Sequence, residues 1–496
     1  MLQLLDRVDT ERRTVGQGID TGRKSELGQF MTPATVARFM ASLFTPTAFP
    51  SARLLDAGAG IGSLSCAFLE RVASGDLPFS RVQACAYEVD AKLRKRLAQN
   101  LALYETALPL EISVSSEDFI EAAAVLIQTD AARFTHSILN PPYKKINSAS
   151  RHRALLRQVG IETVNLYSAF VALALELMTP GGQLVAIIPR SFCNGPYYRP
   201  FRDLIFAKAA IKRLHLFDAR NRAFKDDAVL QENIIIVLER AALQGEVTVS
   251  TSTDDTFADI DSFRFPFDQI VLKDDPERFI HVPTTPEHRQ TAAPFICTPL
   301  VELGLEVSTG PVVDFRLKEH LRHSPTLQTV PLLYPCHFAG QSILWPQLDA
   351  KKPSAILLND KTLKWLYPSG FYVVVRRFSS KEEKRRIVAS VVSPDDFAAS
   401  MIGFENHLNV FHSGKKGVPE ILARGLAVFL NSTLADEQFR RFSGHTQVNA
   451  TDLRLLKYPS KDILIRLAQW AATQIVFTQE SIDKQIQSLT WQNPNT

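Results

Sequence analysis

Residues 52–74 read ARLLDAGAGIGSLSCAFLERVAS: an apolar run closed by an acid, then Gly58, Gly60 and Gly62 at alternate positions, then apolar residues at helical spacing. A strand that enters a glycine turn and leaves directly as a helix is the opening unit of a parallel sheet, because parallel neighbours need a crossover and a helix is the usual one. The glycines leave bare backbone where a ligand can approach, beside a helix N-terminus. Such a turn serves several nucleotide-type ligands alike, so it points to a fold before it points to a chemistry.

Working outward, the alternation continues. RVQACAYEVD (81–90) and LEISVSSEDF (110–119) are strands two and three, each followed by a helical stretch. FTHSILNPPY (134–143) carries the fourth, and VNLYSAFVALALELMTPGGQLVAIIP (164–189) reads as helix, Gly-Gly turn and fifth strand. IKRLHLFDA (211–219) and ENIIIVLER (232–240) supply two more. The expected catalytic domain therefore spans 1–245, an α/β fold of Rossmann-like type. Residues 246–300, rich in Pro, Thr and charge, read as a linker or lobe boundary. Residues 301–496 lack βαβ regularity and read as a separate mixed α/β domain that includes one long helix, EILARGLAVFLNSTLADEQFRRF (420–442).

Composition narrows the class. The chain has 496 residues, 45% hydrophobic, enough for several cored domains. Its formal charge is only +4, but residues 301–496 hold 23 Lys and Arg against 18 Asp and Glu, so the basic excess sits in the last part. The five cysteines (66, 85, 193, 297 and 336) are scattered without C-x-x-C spacing, which suits a reducing compartment and argues against a disulfide or metal framework. The charged N-terminus lacks an apolar signal region, and no apolar run is long enough to span a membrane. The expectation is a soluble cytoplasmic protein.

The chemistry is concentrated in Asn140-Pro141-Pro142-Tyr143. Two prolines end the strand's hydrogen-bonding ladder and hold the segment stiff, which presents an amide, a carbonyl and a ring. That set suits a planar base bearing an exocyclic amino group. The nitrogen lone pair of such a group is delocalised, and two acceptors, the Asn140 side-chain oxygen and the Pro141 carbonyl, favour the bent, nucleophilic form. Tyr143 can stack on the base face, worth about 1–3 kcal/mol. Glu88, at the end of the second strand, stands where a carboxylate accepts ribose hydroxyls, with Asp90 the better helix cap of the two.

NPPY downstream of a glycine turn, with LGQFMTPATVARFMASLF (27–44) upstream of it, resembles the gamma class of N6-adenine DNA methyltransferases, the Eco57I- and TaqI-like methylases. The order of these motifs carries the resemblance, over about residues 25–240. It implies a class I S-adenosylmethionine-dependent methyltransferase sheet, with S-adenosylmethionine as cofactor. Gln29, Phe30, Thr32 and Pro33 are expected over the methionine part of the cofactor; Met31 replaces the usual aromatic. Asp56, Gly58, Gly60, Gly62 and Glu88 are expected to hold it further, with Asp118 and Phe119 at its adenine. Asn140, Pro141, Pro142 and Tyr143 are the expected catalytic set, near Asn165, Leu166 and Tyr167. Phe224 is the expected second aromatic on the flipped base.

A duplex adenine must be flipped out of the stack at a cost of a few kcal/mol, which DNA contacts elsewhere have to offset. The expected partner is double-stranded DNA, held by residues 301–496 acting as a target-recognition domain. RRFSSKEEKRR (376–386) offers Arg376, Arg377, Lys381, Lys384, Arg385 and Arg386 to phosphates, and His445 and Gln447 are candidate DNA contacts. The length and motif order resemble a stand-alone modification enzyme of the PstI/BsuBI type, paired with a separately encoded restriction endonuclease. Alternatives are an RNA or protein-glutamine amide methyltransferase, a cytosine-N4 methyltransferase and a non-catalytic DNA specificity subunit.

Overall fold

The computed structural model describes residues 4–18, 31–130, 133–217, 232–273, 275–284, 296–347, 351–379, 383–443, 447–474 and 478–491. The chain divides into two units, Met1–Arg289 and Gln290–Thr496. In the first, α1 (Leu4–Gly18) and α2 (Ala34–Ser42) precede an alternating series: β1 (Ala52–Ala57), α3 (Ser63–Ala73), β2 (Val82–Tyr87), α4 (Ala91–Ala102), β3 (Leu110–Ser115), α5 (Phe119–Gln128) and β4 (Phe134–Leu139). Then come α6 (Arg151–Gln158), α7 (Leu166–Glu176), β5 (Met178–Pro189), α8 (Arg199–Lys208), β6 (Ala209–Phe217) and β7 (Asn233–Arg240). All seven strands expected from the sequence are present.

The strands form one sheet in the order β3-β2-β1-β4-β5-β7-β6, continued by β8 (Val247–Ser252) and β9 (Asp261–Phe265). β1 to β5 run parallel, and β7 lies antiparallel between β5 and β6. The stretch expected to be a linker is therefore partly sheet. β8 pairs in parallel with β6 through Arg213–Phe217, and β9 returns antiparallel to β8. VTVS (247–250) alternates apolar and hydroxyl residues, a strand pattern that the surrounding Pro, Thr and charge obscured.

Alternate residues of the central strands enter different cores. Leu184, Ala186 and Ile188 of β5 pack on one face with α5, α7 and α8, while Val185 and Ile187 face α2, α3 and α4 on the other. Burial on both faces is why these strands read as continuous apolar runs. Every residue of β4 is buried, including His136, which lies among Phe44, Phe68 and Phe79 at ring-centroid distances of 5.4, 5.3 and 4.9 Å. It is a strand-face residue, and its imidazole is pushed down to about 4 by burial.

In the second unit, Glu306–Thr309, Leu408–His412, Tyr372–Arg376 and Ala389–Val392 form an antiparallel sheet in that order. A five-stranded mixed sheet adds Leu321–Arg322, Ala355–Leu357, Thr329–Leu333, Met401–Phe404 and Leu366–Pro368. The long helix expected at 420–442 is two, Glu420–Leu430 and Thr433–Phe442, because the Ser432 hydroxyl accepts the Ala435 N–H at 3.1 Å and caps a new start. Glu420–Leu430 crosses Lys461–Ala472 so closely that a Cβ on Gly425 would stand 1.9 Å from the Leu464 carbonyl oxygen. Among the described residues, no helix is long and apolar enough to cross a membrane.

Candidate active site

From β1 the sheet is built outward in both directions, through β2 to β3 and through β4 to β5. The crossovers diverge between β1 and β4, and in such sheets ligands bind in the crevice at the carboxyl ends of the strands where the order reverses. The glycine turn follows β1 and Asn140-Pro141-Pro142-Tyr143 follows β4. Topology thus places the two motifs, about 80 residues apart in the chain, on one crevice. A cleft of about 230 Å³ opens there, its walls including Thr32, Gly58, Gly60, Glu88, Phe119 and Asn140.

The turn is held by β2: the N–H groups of Gly58 and Ala59 both donate to the Tyr87 carbonyl, at 2.9 and 3.0 Å. Gly62, at φ +92°, sits against α4, where a Cβ would meet Leu97 Cδ1 at 2.8 Å. Glu88 is 3% exposed, and its carboxylate accepts the Gly60 N–H at 2.9 Å and the Asp90 N–H at 2.8 Å. Burial pushes its carboxyl upward while these bonds oppose the shift. Asp90 caps α4 by accepting from Lys92 and Leu93. Asp56 stands apart from the cleft walls. It is buried behind the turn, accepts the Ser65 hydroxyl at 2.6 Å, and is pushed up to about 7 by burial, with the Glu88 charge adding to the shift.

At the other end, Asp118 caps α5 through the Ile120 and Glu121 N–H groups, and its second oxygen lies 3.3 Å from His152 Nε2. Phe119 and Phe170 close the apolar wall, ring to ring at 5.1 Å. Lys144 and Leu166 complete this end. Leu166 and Phe170, four apart on α7, share a helix face, a spacing legible in the sequence. His152 carried no such signal.

Asn140 is held on both sides. Its Nδ2 donates to Thr32 Oγ1 at 3.0 Å, and its Oδ1 accepts the Tyr143 hydroxyl at 3.1 Å. Tyr143 Oη also lies 3.2 Å from the Ile187 carbonyl, and burial raises this phenol well above its usual range. The Tyr143 ring meets Tyr167 edge-on at 6.2 Å, and Tyr167 meets Tyr198 at 5.6 Å. Pro142 lines the cleft, whereas Pro33, Pro141 and Tyr143 are not among its walls. Pro33 is the residue that opens α2. Gln29, Phe30 and Phe224 lie outside the described residues.

The basic candidates of the second unit separate by burial. Lys384 is exposed, Arg376 pairs with Glu383 at 3.1 Å, and Arg385 donates to Asn431 Oδ1 at 2.6 Å. Arg386, expected on phosphates, is 1% exposed: Nε donates to Ser379 Oγ at 2.9 Å and the guanidinium lies 5.1 Å from the Phe439 ring. It is a core residue, its backbone N–H also donating to the buried Asp436 Oδ1 at 2.7 Å. Arg377 donates to Gln447 Oε1 at 3.3 Å. Lys381 and His445 lie outside the described residues.

This cleft suits S-adenosylmethionine. It combines bare glycine backbone, the carboxylates of Glu88 and Asp118 and an apolar wall of Phe119 and Phe170, polar acceptors beside an apolar face as a nucleoside-bearing ligand needs. Together with the strand order, these features define a class I S-adenosylmethionine-dependent methyltransferase.

Residues 84–224 match the Eco57I restriction-modification methylase family. The chain is 52% identical over 498 residues to type II methyltransferase M.BsuBI of Bacillus subtilis, covering 99% of this chain and 98% of that one. It is 43% identical to type II methyltransferase M.PstI of Providencia stuartii, covering 93% and 92%. Among solved structures, the type IIL restriction-modification enzyme MmeI in complex with DNA aligns with a TM-score of 0.54 at 11% identity, over 100% of this chain and 76% of that one, a likeness of fold. The chain belongs to the family of these type II methyltransferases, the DNA methyltransferases of restriction-modification systems.

Proposed function

We propose that the protein methylates the N6 amino group of an adenine flipped out of a short duplex sequence. The observation that carries this reading is Asn140, fixed between Thr32 and Tyr143 at the edge of the cleft. When bound, S-adenosylmethionine supplies an electrophilic methyl group on a sulfonium. The chain's own residues orient the acceptor. Asn140 Oδ1 and the Pro141 carbonyl each accept one N–H of the adenine amino group, which directs its lone pair towards the cleft. In this reading the Tyr143 hydroxyl yields its place on Oδ1 or shares it, since an amide oxygen has two lone pairs. The Tyr143 ring stacks on the base, and Phe224 is its counterpart on the other face. Gln29, Phe30, Thr32, Pro33, Gly58, Gly60, Gly62, Glu88, Asp118 and Phe119 serve the cofactor, and Asp56 supports the turn from behind.

The second unit serves as the target-recognition domain, with the exposed Lys384 and the half-buried Arg376 and Arg385 beside it on phosphates. The setting is modification of DNA opposite a cognate endonuclease encoded elsewhere, in the cytoplasm. The test is long-read sequencing of DNA from a methylation-free host expressing the chain, scored for modified adenines and cytosines. N6-methyladenine in one short motif is the expected result. Modified cytosine, or no modified base from a folded protein that binds S-adenosylmethionine, overturns the reading.

A further inference from the structure

At the end of the strand Tyr372–Arg376, where the basic run begins, Arg377, His407 and Gln447, three side chains able to hydrogen-bond a base, come together on a partly exposed surface of the second unit. The Arg377 N–H donates to the His407 carbonyl at 2.8 Å, and its own carbonyl accepts the Val448 N–H at 2.7 Å, so three separate chain segments converge here. Phe378 and Gln447 face each other as a lone antiparallel bridge. The Arg377 guanidinium donates to the Asn406 carbonyl at 3.2 Å and to Gln447 Oε1 at 3.3 Å. Among the described residues no carboxylate pairs with it. Its Nε is buried without a partner.

His407 is aimed by a buried carboxylate. Glu405 is fully buried, and its two oxygens lie 2.7 and 2.8 Å from His407 Nδ1, while one of them also accepts the His407 backbone N–H at 2.9 Å. A carboxylate on Nδ1 selects the tautomer with its proton there, so Nε2 of the neutral ring is an acceptor. The side chain remains 43% exposed, and its ring packs on Phe378, itself 46% exposed, at 5.0 Å. A buried carboxylate bonded to the ring and backbone of one exposed histidine fixes an orientation, which a solvated surface would not require.

We propose that Arg377 and His407 read the major-groove edge of one G·C pair in the recognition sequence, with Gln447 and Glu405 as positioning residues. This rests on the DNA-methyltransferase reading of the first unit. Guanine presents O6 and N7 as acceptors and cytosine its N4 amino group as donor. An arginine with N–H groups still to donate, beside a histidine whose Nε2 accepts in the neutral ring, complements that pattern. The basic excess of residues 301–496 supplies attraction to the duplex, which is sequence-blind, whereas this cluster supplies discrimination. Arg377 is thereby separated from the phosphate-holding role that its neighbours suggest.

The test uses the full chain. The motif modified by the wild type is first determined by sequencing, and Arg377→Gln, Arg377→Lys and His407→Ala are then compared with it on the cognate duplex and on duplexes altered at one base pair. The expected result is that Arg377→Gln loses about 10- to 100-fold of the discrimination at a single G·C position, keeps it at the others, and keeps its affinity for S-adenosylmethionine. Replacing that guanine by 7-deazaguanine weakens the wild type but not Arg377→Gln. His407→Ala relaxes the same position. Arg377→Lys, which keeps the charge but not the fork, is expected to resemble Arg377→Gln. A uniform loss across all duplexes, with the salt slope reduced by about one, makes Arg377 a phosphate contact and overturns the proposal. A wild-type motif without any G·C pair overturns it too. Absence of methyladenine from wild-type DNA defeats the adenine reading itself; a methylated motif unchanged in Arg377→Gln defeats only this inference.

Discussion

Gly62→Ala isolates the physical requirement behind the glycine turn. At φ +92° an L-residue is strained, by about 1–2 kcal/mol. The new Cβ would also stand 2.8 Å from Leu97 Cδ1, closer than carbon contacts allow, and Leu97 is fully buried, so it cannot swing into solvent. Overpacking of this kind adds about 1–3 kcal/mol. Gly75→Ala supplies the internal control: φ is +84°, but nothing lies within 4 Å of its Cβ, so only the strain remains. Gly245→Ala, with an ordinary φ and open space, is expected to leave stability within about 0.5 kcal/mol. Urea unfolding of the three variants, with S-adenosylmethionine affinity measured alongside, checks the order. Gly62→Ala is expected to be the least stable and the only one with weakened cofactor binding. Equal stability of Gly62→Ala and Gly75→Ala would refute the contact argument, and stability of all three near wild type would refute the strain argument as well.

Asn140→Ala is expected to abolish methyl transfer while S-adenosylmethionine binding survives, and Thr32→Val, which removes the acceptor of the Asn140 Nδ2–H, to lower kcat by about 10- to 100-fold; equilibrium binding and single-turnover methylation separate the two effects. His136 titrates at about 4 in the fold against 6.5 as a free side chain. The unfolded chain therefore takes up the proton first as pH falls, and this residue's contribution to stability declines from about pH 6.5 down to about pH 4. Relative to wild type, His136→Leu is expected to gain about 3 kcal/mol on going from pH 7 to pH 4. Denaturant unfolding at both values checks it, and a pH-independent difference would show that the imidazole is not buried neutral.

The central strands of the catalytic sheet were legible because burial on both faces leaves a nearly unbroken apolar signature, the outer β2 and β3 because apolar residues alternate along them, and all because glycines and prolines mark where the ladder must stop. The motifs that line the cleft were legible for the same local reason: NPPY, the glycine turn and Glu88 each lie at the end of a strand and stand out by proline, by glycine or by an acid. Asp90 as a cap needed only its place before a helix. Other assignments depend on what surrounds a residue. Asp56 was expected at the cofactor, and it is buried, bonded to Ser65 and absent from the cleft walls. Arg386 looked like one more member of a basic run and lies against Phe439 in the core, while Arg377, nine residues earlier, stays at the surface. β8 and β9 hid in a polar stretch because an edge needs only half its residues to be apolar. His407 carried no signal at all, since its meaning comes from the buried Glu405 behind it. Sequence by itself determined the periodicities and the stops, which are properties of the chain within a few residues of each point. Which charges are buried, which side chains converge and which groups remain free for a ligand depend on segments distant in the chain, and those only the tertiary structure decided.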